Sequence, residues 1–72
     1  MKPTSDCIQI AAAGGGLDLS KAGKTTNDLI MIAAAAANSG KNPQIWISGS
    51  KTTQDLLQIV SAGKGCVLVK FD

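Results

Sequence analysis

Two hexapeptides hold the residues best suited to chemistry in this chain: Lys24-Thr25-Thr26-Asn27-Asp28-Leu29 and Lys51-Thr52-Thr53-Gln54-Asp55-Leu56. Each sets an ammonium and two hydroxyls at what reads as the start of a helix. Backbone N–H groups there carry partial positive charge and point outward, so the set could cradle an anion such as phosphate. The same residues start a helix well without any ligand. A threonine followed three residues on by Asp is a variant of the capping box, and the carboxylate sits at the positive end of the helix dipole. Lys24, Thr25, Thr26, Lys51, Thr52 and Thr53 are therefore candidate anion-binding residues. Plain capping is the stronger reading, because Asp28 and Asp55 already occupy the dipole's positive end.

Ala22-Gly23-Lys24-Thr25-Thr26 resembles the closing half of a phosphate-binding P-loop. The resemblance covers only that fragment. The pattern requires Gly five residues before Gly23, where this chain has Asp18, and the second copy has Ser50 where Gly should precede Lys51. An NTPase is not supported. Other catalysis has few players, since the chain contains no His, Glu, Tyr or Arg. A general base would have to be Asp or Lys, and no nucleophile stands beside an evident activator. Asp6, Asp18, Asp28, Asp55 and Asp72 show no paired-carboxylate spacing. We expect no catalytic residue, no metal site and no cofactor.

The two hexapeptides belong to a longer echo at a spacing of 27 residues, through Ile32/Ile59 and Ala35/Ala62, and each copy runs on toward a Gly-Lys pair, Gly40-Lys41 and Gly63-Lys64. Each copy is followed by an apolar run of strand character, Gln44 to Ser48 and Cys66 to Phe71. Cys7 to Ala11 alternates and reads as a first strand. The order is then β-α-β-α-β in one domain over residues 1–72, with two β/α repeats at about 7–40 and 44–65 plus a final strand. Gly40 and Pro43 stop the first helix, and Gly63-Lys64-Gly65 stops the second. Strands joined by single helices should run parallel.

Side-chain parity says where the helices lie. Ile8, Ile10, Ile45, Ile47, Val67, Val69 and Phe71 share one parity, which is densely apolar. The other parity carries Gln9, Trp46, Cys66, Leu68 and Lys70. One sheet face asks to be covered and the other is half polar. The expected fold is a small α/β unit, a three-stranded parallel sheet of order 1-2-3 with both helices on one face. An order 2-1-3 would want both parities apolar. In order 1-2-3, two strand spacings of about 4.8 Å hold Cys7 and Cys66 near 10 Å apart, too far for a disulfide. Trp46 at the centre of the open face is costly to leave in water and typical of an interaction surface. Gln9, Trp46, Cys66, Leu68 and Lys70 are the candidate interface residues.

Composition narrows the partners. A chain of 72 residues is near the lower limit at which a core alone gives stability. Its apolar atoms are largely those of Ala, Ile, Leu and Val, so association with a second copy, face to face or edge to edge, is a natural remedy. The net charge of +2 is carried by scattered Lys and Asp. Without Arg for bidentate contacts or aromatics for stacking, nucleic acid is a poor candidate partner. No apolar run approaches the roughly 20 residues that span a bilayer, and the expected location is cytoplasmic. The expected function is a non-enzymatic interaction or regulatory module that binds itself or another protein through its open sheet face. The alternative is a small domain that binds an anion or phosphometabolite at the Lys-Thr-Thr helix starts.

Overall fold

The computed structural model describes residues 3–71. Its elements are α1 (Thr4–Ala12), β1 (Leu17–Asp18), α2 (Thr26–Asn38), β2 (Ile45–Ser48), α3 (Thr53–Gly63) and β3 (Val67–Lys70). The three strands form one parallel sheet in the order β1-β2-β3. Asp72, read above as one of the carboxylates without paired spacing, lies outside the described residues.

The sheet order and direction match expectation, but the first strand does not. Cys7 to Ala11, read as strand 1, is the body of helix α1. Five residues of alternation also fit a helical period, and the flanks favour helix. Pro3 holds φ near −64° at the N-cap, Asp6 lies in the first turn, and the following alanines are strong helix formers. Cys7 and Ala11, four residues apart, are the buried pair of this helix. Gly14 takes φ 93° and ends it, with Gly14 N–H donating to Ala11 O and Gly15 N–H to Ile10 O. That is the Schellman arrangement. There are thus three helices rather than two.

The first strand is instead the short Leu17–Asp18 segment, which lies between the expected strand and the expected first helix. Leu17 N–H donates to Gln44 O at 3.0 Å and Leu19 N–H to Trp46 O at 2.8 Å. Gly16 permits the approach: a Cβ there would stand 3.1 Å from Gln44 O. β3 is also shorter than expected. Cys66 and Phe71 fall outside it, and Cys66 is buried in the turn that leads into the strand.

Helices α2 and α3 begin as the Thr-x-x-Asp signature predicts. Thr25 Oγ1 accepts from Asp28 N–H, and Thr52 Oγ1 accepts from Asp55 N–H, each at 3.2 Å. Caps of this kind contribute about 1 kcal/mol each. Gly40, with φ 72°, closes α2, whereas α3 closes on Lys64 in the left-handed region at φ 48°.

Register sorts the sheet into two faces. Ile45 pairs with Leu17 and Val67, and Ile47 pairs with Val69. Ile45 and Ile47 are fully buried and form the core with Ile32, Ala33 and Ala36 of α2 and Ile59 of α3. α2 packs between α1 and α3, so the helices form one layer on this face. Three expected members do not belong. Ile8 and Ile10 are on α1, and Phe71 lies beyond β3, 73 % exposed, with its ring over Gly49. The two cysteines are buried and are not joined by a disulfide. The expected disulfide test loses its premise, since Cys7 is on a helix.

Candidate functional site

The uncovered face of the sheet is set by the other parity of the same strands. In register, Asp18 lies beside Trp46 and Trp46 beside Leu68, while Ser48 lies beside Lys70. Trp46 sits on the central strand and keeps 37 % of its surface exposed. Among the described residues, no element packs over it. Of the expected interface residues, the structure brings Trp46, Leu68 and Lys70 together. Gln9 is not among them: it is exposed on α1, because the segment carrying it is helical. Cys66 is also removed from the face, being buried with its Sγ 4.0 Å from Asn42 Oδ1. Asp18 takes the place that Gln9 was expected to fill. The signal for it was the short Leu17-Asp18-Leu19 alternation.

Asp18 is fixed by a tight local turn. Its Oδ1 accepts from Ser20 Oγ at 2.6 Å and from Ser20 N–H at 3.1 Å. These two bonds, helped by the positive charges of Lys70 and Lys21, hold its carboxyl below the usual carboxylate range. A folded-state pKa below the unfolded one contributes stability above the unfolded pKa. That contribution disappears as pH falls through the folded value. The face thus carries a carboxylate on the β1 side of Trp46, and the Lys70 side chain lies on its β3 side.

No protein-family model, curated protein or solved structure matches this chain. What the molecule can do has to be read from its own surfaces.

The second candidate lies at the carboxyl end of β1 and β2. A cleft of about 190 Å³ there is lined by Lys21, Lys24 and Lys51 together with Ser20, Ser48 and Ser50. This is the end of a parallel sheet at which α/β folds place ligands. Lys24 and Lys51 were expected at such a site. Lys21 was not, because its place depends on β1, a strand that the sequence reading did not include. The threonines are employed otherwise. Thr25 and Thr52 cap their own helices, and Thr26 Oγ1 donates to Asp55 Oδ2 at 3.3 Å. Thr53 is exposed at the start of α3. The Ser48 and Ser50 hydroxyls lie 2.9 Å apart, and Ser50 N–H donates to Ser48 Oγ, which shapes the cleft wall.

Among the described residues, no group of three or more Cys, His, Asp or Glu side chains is gathered in a way that could hold a metal ion. No helix among them is long and apolar enough to cross a membrane.

Proposed function

We propose that the chain is a non-enzymatic protein-interaction module that docks a partner protein on its open sheet face. The supporting observation is Trp46, held at the centre of a three-stranded face between Leu68 and Asp18 with no element over it. Size selects the kind of partner. Three strands about 4.8 Å apart and at most four residues long present roughly 200 Å². A stable homodimer interface needs about 800 Å² from each side, so a second copy stacked face to face is undersized. A foreign segment bound transiently fits better. Its chemistry is an apolar anchor for Trp46 and Leu68, with a basic group toward Asp18 and an acidic one toward Lys70.

Trp46 is the chain's single tryptophan, so its emission reports on its own site. Peptides selected on the purified chain should shift that emission to the blue. Trp46→Ala should weaken their binding by about 2 kcal/mol, roughly thirtyfold, as for an interface hot spot. Peptides that leave the emission unmoved and bind Trp46→Ala equally well would remove this reading.

A second reading has an observation of its own, the three lysines that line the β1–β2 cleft. We propose as the alternative that this cleft takes a phosphate or phosphate ester, held by the ammonium groups and the serine hydroxyls. Millimolar inorganic phosphate should then raise the melting temperature of the wild type, and Lys21→Ala with Lys51→Ala should abolish the rise. A wild-type melting temperature indifferent to phosphate and to pyrophosphate ends the alternative.

A further inference from the structure

Each helix in this chain is followed by a strand, and the three helix–strand pairs stack side by side. The contacts between successive pairs recur. Thr4 Oγ1, in the first turn of α1, donates to Asp28 Oδ2 of α2 at 3.2 Å. Thr26 Oγ1, in the first turn of α2, donates to Asp55 Oδ2 of α3 at 3.3 Å. Thr53 holds the same position in α3. Asp6 is the α1 counterpart of the two acceptors, so one end of the stack carries a donor and the other an acceptor.

Burial follows the same columns. Ile8 and Ile30, four residues after Thr4 and Thr26, are half-buried and packed against the core, but Leu57 in α3 is 60 % exposed. Ala11 and Ala33 are fully buried, while Val60 is only half-buried. At the opposite end the pattern reverses. Ile32 and Ile59 are fully buried, while their α1 counterpart Ile10 is half-buried; Ala35 and Ala62 are half-buried, while Ala13 is exposed. Among the described residues, the last pair lacks a cover on the side where the first two have one, and the first pair lacks a neighbour on the other side. The sheet agrees, since β1 and β3 are its two unpaired edges. Leu17 and Leu19 N–H donate to Gln44 and Trp46 O across one step. The same step would carry Val67 and Val69 N–H to the Gly16 and Asp18 carbonyls of a further first strand.

We propose that the α3–β3 end is a docking surface for the α1–β1 end of a second copy of this chain, joined head to tail in the register of its own internal stack. Thr53 donates to the second copy's Asp6, Leu57 covers its Ile10 and Ala13, and β3 pairs with its β1. In that register Leu68 lies beside the second copy's Asp18, and Lys70, two residues further along the same face, is its diagonal neighbour, so opposite charges meet at the join. The contact is heterologous: each copy keeps a free end and growth does not stop at two. It also lengthens the open sheet face with each copy added, although it stands independently of what that face binds.

Sedimentation velocity of the intact chain over a wide micromolar range tests this. The wild type should grow past the dimer as concentration rises. Leu57→Glu and Ala13→Glu, at exposed positions on opposite ends, should each keep the circular dichroism of the wild type. Each alone should associate about tenfold or more weakly than the wild type. Mixed, the two variants retain one intact join and should form a 1:1 dimer that grows no further. Trp46→Ala should assemble like the wild type. A wild type that stays monomeric, a Leu57→Glu variant that still polymerises, or a mixture of the end variants that stays monomeric would each overturn the proposal. So would assembly abolished by Trp46→Ala.

Discussion

Ile32→Ala is expected to take away about half of the folding free energy. Ile32 is fully buried in α2 and belongs to the four-isoleucine core with Ile45, Ile47 and Ile59. Removing a buried isoleucine to Ala costs about 2–5 kcal/mol, part lost transfer energy and part the cavity left behind. A chain of this length has only about 4–11 kcal/mol in total at 0.05–0.15 kcal/mol per residue. The buried neighbours on its own helix include Ala33 and Ala36, whose methyl groups cannot close the gap. Urea unfolding followed by Trp46 fluorescence should show the midpoint falling steeply with little change in slope. Met31→Ala, on the exposed side of the same helix, is the control and should change stability by under about 0.5 kcal/mol. Equal small losses at both positions would mean that Ile32 is not in the core described above.

Gly63→Val is expected to destabilise the fold by about 1–3 kcal/mol through overpacking. Gly63 is the last residue of α3 and has an ordinary helical backbone, so propensity alone predicts that a side chain would help by up to about 1 kcal/mol. Packing says the opposite. A Cβ at this position runs into the Val67 Cγ2 methyl and stands 3.3 Å from Ala33 Cβ of α2. The glycine is where α3 meets both its own following strand and the neighbouring helix. Gly63→Ala should therefore also fall below the wild type, by less than Gly63→Val. Val67→Ala, which deletes the obstructing methyl, should recover part of the loss, giving a coupling energy in a double-mutant cycle. A Gly63→Ala variant more stable than the wild type would show propensity winning over packing here.

The difference between these two sites also marks what could be read in advance. Gly63 stands in the sequence as a helix stop, and nothing local says that it is also a point of close approach. Thr25 and Thr52 were legible as caps because the bond they accept spans three residues of one continuous segment. β2 and β3 were legible because Ile-Trp-Ile-Ser and Val-Leu-Val-Lys carry strand-forming side chains between clear turns. The order 1-2-3 rested on a single apolar parity. Ile45 and Ile47 against Trp46 were enough for it, even with the first strand misplaced.

The first strand was out of reach for a definite reason. Cys7 to Ala11 satisfies a period of two and a period of 3.6 equally well over five residues. The choice came from burying Cys7 and Ala11 together beside α2. β1 has only two residues, and what makes it a strand is the pair of carbonyls, Gln44 and Trp46, supplied from the neighbouring segment. Asp18 and Lys21 joined their sites as a consequence. The Thr4–Asp28 and Thr26–Asp55 bonds join residues 24 and 29 apart, and their recurrence appears only once the helices lie side by side. The sequence by itself determined the caps, the two longer strands and the one-sided core, all of which depend on neighbours along the chain. The first helix and strand, the lysine cleft and the matched ends were decided by tertiary contact, because their energies belong to pairs of segments and to neither segment alone.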